Sequence, residues 1–343
     1  MRLLVYAILL VHTSFLNKKV TSLDDDTDFF ENQTVNNTNS IIVKTIVVDQ
    51  FGIGNFKTVQ QAVDSIPSNN KEWIKIRIRN GIYNEMVTIL RDKQKIYMEG
   101  ENPLKTIIQF NLAGDSINDG TFKLFADYFL GVNITFKNTY NNASSRINEM
   151  KVAPAALIMG DKAAFFQCIF ISLQDTLSDG LGRHYFEKCY IEGAVDFIWG
   201  AGQSIYNKCV IHVSGQLKEL AGDITAQGRN TEDNTSGFVF QQCTIVGSGK
   251  AYLGRAYRRY SRVLFSRTYM SNVVVPQGWD AWKYKGQEDH ISYTELNCIG
   301  KGANQEGRVK WGNKLSRKQI KFLNNRDTFI NQDGWMANIP KVL

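Results

Sequence analysis

Four of the five cysteines sit in versions of one phrase: FFQCIFI around Cys168, YFEKCYI around Cys189, IYNKCVI around Cys209 and FVFQQCTI around Cys243. Apolar residues two or three positions before each Cys, and an aliphatic one two after it, follow the period-two alternation of a strand. The spacings are 21, 20 and 34 residues, LFSRTYM (264–270) repeats the phrase without its Cys, and FLGVNITF (129–136) resembles an earlier copy. Short strands returning at this interval leave no room for a regular helix between each pair, which excludes a wound α/β sheet. The pattern predicts an all-β chain coiled as a parallel β-helix, a solenoid whose rungs stack on one another. Twenty-seven glycines against five prolines suit its many short strands and tight turns. The cysteines then form a ladder of small buried hydrophobes. Spacing and an oxidising compartment also allow a disulfide between neighbours such as Cys168 and Cys189, while an odd count leaves at least one thiol unpaired or bonded elsewhere.

Residues 1–22 begin MRLLVYAILLVHTS, a basic residue and a short apolar run followed by small and polar residues. That layout predicts a secretory signal, too short to span a bilayer, and no later run is long and apolar enough to do so. Residues 23–42 are acidic and Asn/Thr-rich and read as a disordered tail. Their DDDTD lacks the Gly and Glu that a calcium loop needs, since Phe29 and Val35 stand at those positions. Sequons at Asn32, Asn36, Asn133, Asn142 and Asn234 agree with export and glycosylation. The β-helix domain is expected over 43–343. Near its start, NFKTVQQAVDSIP predicts a short N-terminal capping helix, with Thr58 and Gln61 as a capping box, apolar Val59, Ala62, Val63 and Ile66 at helical spacing, and Pro67 as a stop. The first rungs are expected from the alternation of Ile74, Ile76 and Ile78. GIG at 52–54 lacks the third glycine of a dinucleotide loop. Formal charge is +7 and falls once the signal is removed, a modest excess favouring an acidic polymer. The basic stretch at Arg255, Arg258, Arg259 and Arg262 reads mainly as a solvated strand face, and no nucleic-acid partner is expected.

Asp175 and Asp196 each lie seven residues after a ladder cysteine, Cys168 and Cys189. If the cysteines occupy equivalent places on successive rungs, so do the aspartates, and strands about 4.8 Å apart would bring their carboxylates to roughly 5 Å. Two like charges so close cannot both ionise freely, and one pKa must rise. An isolated aspartate beside glycine usually serves a turn; two in register, each in apolar and aromatic sequence, point instead to an acid beside a carboxylate.

QDTL (174–177), DFIWG (196–200), GIYNE (81–85), ITAQGR (224–229), YLGRAY (252–257) and GWDAW (278–282) follow one another as the motifs of plant pectin methylesterases do. The chain resembles that family across roughly residues 43–340. The resemblance implies a right-handed parallel β-helix, no metal or other cofactor, and removal of methyl esters from cell-wall homogalacturonan. It implies that Asp196 is the nucleophile and Asp175 the acid that protonates departing methanol and then activates water. Arg255 would hold the Asp196 carboxylate, Gln174 would donate its amide to the oxyanion, worth ~3 kcal/mol, and Tyr257, Phe197, Trp199 and Thr139 would bind the sugars. Methylated pectin and a proteinaceous pectinesterase inhibitor are the implied partners of a monomeric, secreted, cell-wall protein.

Departures from the family pattern are Ala153, where many members carry a second oxyanion glutamine, and Ala256 and Tyr257, where Pro and Trp are usual. The alternative is therefore a catalytically weakened pectin- or inhibitor-binding wall protein, which methanol release would separate from an esterase. A β-helix glycosidase or lyase is a further rival, but the chain has neither the Asp-Asp and Gly-His-Gly phrases of polygalacturonases nor clustered calcium-binding carboxylates outside the tail. It has no GxSxG for a serine esterase. His12, His184, His212 and His290 make no His-rich metal site, and each reads as a surface or packing residue.

Overall fold

The computed structural model describes residues 41–141, 149–217 and 220–342. The expected signal, the tail before residue 41 and the sequons at Asn32, Asn36 and Asn142 lie outside them. The chain is a right-handed parallel β-helix of three sheets, in which every pairing between the named strands is parallel. A ten-stranded sheet runs from Ile42–Val48 to Ser292–Leu296, and two eight-stranded sheets complete the coil. The first rung starts earlier than the isoleucine alternation suggested: Ile42–Val48 pairs with Trp73–Ile78, so the solenoid takes in the last residue assigned to the tail.

The corner after each of the last seven strands of the ten-stranded sheet explains the cysteine phrase. One residue turns the chain in the left-handed region: Asn133, Gln167, Lys188, Lys208, Gln242, Arg267 and Asn297 all have φ between 49° and 57°. This conformation costs a non-glycine residue roughly 1–2 kcal/mol. It recurs because the N–H at the corner bonds the equivalent carbonyl of the next rung, as from Lys188 to Asn207 at 2.9 Å and from Lys208 to Gln241 at 2.8 Å. The residue after the corner points inward: Ile134, Cys168, Cys189, Cys209, Cys243, Thr268 and Cys298. A thiol fits that tight bend and donates to the preceding rung, Cys209 Sγ to the Phe186 carbonyl at 3.5 Å and Cys243 Sγ to that of Tyr206 at 3.2 Å. The predicted copy without Cys carries Thr268 in this place. All five cysteines are free thiols, so the disulfide that spacing allowed is not formed.

Register also stacks aromatic rings inside the ten-stranded sheet. Phe165, Phe186, Tyr206, Phe240 and Phe265 are paired in sequence down the rungs. Their centroids lie 5.1, 4.7, 4.5 and 4.4 Å apart with planes within 11° of parallel, close to the interstrand repeat. The helix Val59–Asp64 forms as expected, with Thr58 accepting from the Gln61 N–H and Val59, Ala62 and Val63 buried. Glu85 adds a carboxylate to its N-terminus, accepting from the Val59 and Gln60 amides at 2.8 and 2.9 Å, where the helix dipole favours negative charge.

The sequence did not announce what covers the outer face of the large sheet. There, Tyr97, Leu130, Ala164, Tyr185, Ile205 and Val239 form a second apolar cluster with Leu315, Leu323, Phe329, Ile330 and Trp335 from the C-terminal segment. Helices Arg317–Asn324 and Arg326–Phe329 lie in this segment. Asp333 ties it down through Lys162 at 3.0 Å and Arg183 at 2.9 Å. With every thiol free and four of them buried, a thiol reagent is expected to find five reactive groups in denaturant, with or without prior reduction. In the native protein the four buried ones should react only as it unfolds; fewer than five in unreduced denatured protein would mean that a disulfide exists.

Candidate active site

A second left-handed corner, between the sheet holding Ile169–Ile171 and the one holding Leu177–Asp179, carries the aspartates. Asp175 and Asp196 have φ 55° and 48°, a region that Asp tolerates better than most residues. Gln174 bridges Val195 in parallel, and Leu177 pairs with Ile198. This register sets Asp175 directly against Asp196 on neighbouring rungs, with the Asp175 N–H on the Val195 carbonyl at 3.1 Å. They are turn residues and a facing pair at once. Only 4% and 5% of their surfaces are exposed.

Their surroundings differ. Asp196 accepts a charge-assisted hydrogen bond from Arg255 Nη2, whereas Asp175 accepts one from the Ser116 hydroxyl. Burial pushes Asp175 up to about 7, with Ser116 and Arg255 opposing and the Asp196 charge reinforcing the shift. Burial also raises Asp196, and Arg255 draws it back. The second oxygen of each carboxylate is buried without a partner. The pair thus sets a carboxyl raised to about 7 beside one that is also raised by burial but is hydrogen-bonded to a guanidinium, which favours its ionised form.

Arg255 stands on the strand Lys250–Ala256, its guanidinium carbon 4.3 Å above the ring of Trp282. Tyr257 stacks on Trp282 at 6.0 Å and meets Trp199 edge-on at 5.4 Å. These three half-buried rings line one side of the carboxylates. A groove of about 200 Å³ opens beside Trp199 and Tyr257, with Arg258, Gly228, Leu181 and Ile117 among its other walls; Asp175, Asp196 and Arg255 are not part of its lining. A larger hollow of about 540 Å³ lies between Gly52 and Ser65, with Lys57 and Asp64 as its only charged walls.

Of the sequence-predicted residues, Asp175, Asp196 and Arg255 come together, and Gln174 is half-buried beside Asp175. Phe197 does not serve as a sugar platform. It is wholly enclosed in the inner core, where Gly193 makes space, since a Cβ there would lie 2.1 Å from that of Phe197. Its burial forms the apolar floor under the acids. Thr139 gives its hydroxyl to the Phe110 carbonyl at 3.2 Å. The basic stretch is not a uniformly solvated face: Arg262 is pushed down to about 9 by burial and donates to the Ser236 carbonyl. His184 is no surface or simple packing residue either. It is fully buried, with Nδ1 2.5 Å from Asp179 Oδ1, while the Tyr206 hydroxyl donates to Asp179 Oδ2 at 2.6 Å. Burial pulls the imidazole down but Asp179 outweighs it, and the net direction is up.

Sequence reasoning missed Ser116, Trp282 and Asp223. Trp282 closes the GWDAW motif and was available; Ser116 comes from a loop 59 residues before Asp175 and carried no signal. Asp223 continues the acid ladder: Ile198 pairs with Thr225, so the same register carried back two residues puts Asp223 against Asp196. No group of three His, Cys, Asp or Glu among the described residues is arranged to hold a metal ion.

A parallel β-helix with acids stacked at one corner of its coil defines the class, and comparison with known proteins narrows it. A family model described as Pectinesterase matches residues 45–333. Putative pectinesterase 10 of Arabidopsis thaliana is 46% identical over 88% of this chain and 89% of its own length, and probable pectinesterase 29 of the same plant is 45% identical over 86% and 89%. Among solved structures, a pectin methylesterase from carrot superposes with a TM-score of 0.80 at 30% identity, covering 87% of this chain and 97% of the other. The chain belongs to the pectinesterase family and is a carboxylic ester hydrolase.

Removing the Trp282 ring should free the guanidinium on one side. Trp282→Ala is expected to lower kcat by about tenfold through misplacement of Arg255, with the fold unchanged by circular dichroism; wild-type kcat would show that the ring does not position it.

Proposed function

We propose that this pectinesterase removes the C6 methyl esters of homogalacturonan by a covalent route, with Asp196 as nucleophile and Asp175 as acid and then base. The observation that carries this reading is the unequal pair: two acids on adjacent rungs, one bonded to Arg255 and the other raised to about 7. The Asp196 carboxylate attacks the ester carbonyl, and the Gln174 amide donates to the oxygen that gains the electron pair. The intermediate collapses with cleavage of the carbon–methoxy bond. Asp175 gives its proton to the departing oxygen, which leaves as methanol, and an anhydride joins Asp196 to the sugar carboxyl. The Asp175 carboxylate next takes a proton from water, and the hydroxyl adds to the anhydride carbonyl. Breaking the anhydride returns the Asp196 carboxylate and leaves galacturonic acid, which ionises into solvent. Asp175 is again protonated.

Trp199, Tyr257 and Trp282 offer ring faces and edges to the pyranoses. Arg258 and Lys283, over the Tyr257 ring at 5.3 and 5.9 Å, suit carboxylates already released along the chain. Secretion to the cell wall, monomeric action and recognition by a protein inhibitor belong to the same reading, as does a glycan at exposed Asn234. Asn133, by contrast, is a left-handed corner residue with its Oδ1 buried.

Asp196→Asn should abolish methanol release from methylated pectin, a loss of at least ~10³-fold, while pectin binding persists. If wild type binds pectin and releases no methanol, the weakened binding protein is the better account. The Asp175 carboxyl must be protonated to act on the leaving group, so kcat/KM should fall as pH rises through about 7. The Ser116 hydrogen bond favours the ionised form, and its loss raises that pKa. Ser116→Ala is therefore expected to move the descending limb to higher pH by about half a unit to one unit; a limb unmoved, or moved downward, would deny Asp175 the acid's part.

A further inference from the structure

Asp223 is a third acid in line with Asp175 and Asp196, and the reaction as written does not use it. It stands on the strand Ala221–Gln227, between the rung of Asp196 and the strand Lys250–Ala256 that carries Arg255. Its Oδ2 lies 3.8 Å from Arg255 Nε, near enough for an ion pair and too far for a hydrogen bond. Arg255 Nε and Asp223 Oδ1 are both buried and neither has a hydrogen-bond partner. One guanidinium therefore faces two carboxyl groups. It is bonded to Asp196 through Nη2 and is one small displacement from bonding to Asp223 through Nε.

We propose that Asp223 is a positioning residue that governs whether Arg255 serves Asp196. This rests on the reading of Asp196 as nucleophile. While Asp223 is neutral it makes no claim on the guanidinium, whose charge is spent on Asp196. When Asp223 loses its proton to solvent, the new carboxylate attracts Nε, loosens the Nη2 bond and places a second negative charge beside the nucleophile. The reaction then stops for a reason separate from ionisation of Asp175.

The charged and titratable groups around Asp223 set the order of events. Asp196 on one side and Asp280 on the other disfavour its ionisation, Arg255 favours it, and Tyr252 lies directly opposite on the neighbouring strand. Tyr293 from the ten-stranded sheet is fully buried and keeps its proton, and Lys283 is held over the Trp282 ring at 3.9 Å. Burial comes first among the causes, and it holds Asp223 well above the ordinary carboxylate range. The direct hydrogen bond from Arg255 goes to Asp196 and not to Asp223, so the guanidinium favours the ionised form at Asp196 first.

The test is the alkaline limb of kcat/KM for methanol release, compared between wild type and Asp223→Asn, which keeps the side chain's size and loses its charge. Wild type should fall first with one proton and then with two, whereas D223N falls with one throughout. At one pH unit above the second break, D223N should be about tenfold more active than wild type, and below pH 6 the two should agree within about twofold. Identical limbs would overturn the proposal. So would a D223N variant as inactive as D196N at every pH, because Asp223 would then belong to the chemistry itself. Infrared titration of the free enzyme supplies a readout independent of activity. A protonated carboxyl band that persists above the Asp175 transition in wild type and is missing in D223N supports the proposal; its absence from wild type overturns it. An active D196N would overturn the nucleophile assignment alone, since the infrared band would still report the proton on Asp223.

Discussion

The hydrogen bond from each corner residue to the same corner one rung further along is the constraint on which the rest depends. It fixes the rise of the coil at one interstrand distance and forces the bend into a left-handed residue, so that equivalent positions stack. None of Gln167, Lys188, Lys208 and Gln242 is a residue type that favours the left-handed region, yet they occupy one conformation because the N–H of each must meet the next turn's carbonyl. The inward neighbour must then be compact and apolar, and cysteine adds a weak donor to the rung before it.

The same geometry produces the electrostatics of the cleft. At the other corner the left-handed residue is aspartate on two consecutive rungs, and a third aspartate follows in register with no left-handed turn of its own. Stacking makes like charges neighbours, which no flexible loop would tolerate, and an inner core wholly closed by Phe197, Ile198 and Phe170 denies them solvent from below. One guanidinium cannot satisfy three carboxyls. The outcome is three carboxyls all raised by burial and all opposed by Arg255, which bonds Asp196 directly, while Asp175 beside Ser116 is raised to about 7 and Asp223 faces Nε without a hydrogen bond. Asp179 and His184 show the opposite solution within the same rungs: there every polar atom of the buried cluster finds a partner, and the pair braces the strand that follows Asp175.

What could be read from the sequence was whatever repeats at constant spacing. The cysteine phrase gave the rungs, and a constant seven-residue offset gave Asp175 and Asp196 because no insertion intervenes between corner and corner. Asp223 was hidden for the opposite reason. The loop before its strand lengthens that turn, so its offset from Cys209 differs, and only the paired strands show its equivalence. Phe197 was misread because flanking aromatics look alike in sequence, whereas alternation at a left-handed corner decides which ring turns inward. The C-terminal cover was illegible for a further reason: its helices are only eight and four residues long, too short to establish a period, and their partners lie on the outer face of strands far away in sequence.

Ala153 shows how the site accommodates a missing side chain. Its amide bonds the Gln174 carbonyl at 3.3 Å, so it occupies the rung directly before the acid pair, and it is completely buried. A methyl group there offers nothing to an oxyanion, and the rung is held instead by Ser172, whose hydroxyl donates to the Ala153 carbonyl at 2.6 Å. On the same side of the pair, Ser116 reaches in from its loop to Asp175. A hydroxyl bonded to the Asp175 carboxyl lowers its proton affinity, against the rise that burial imposes. The two hydroxyls thus give the rungs on this side of the pair polar partners that Ala153 itself does not supply.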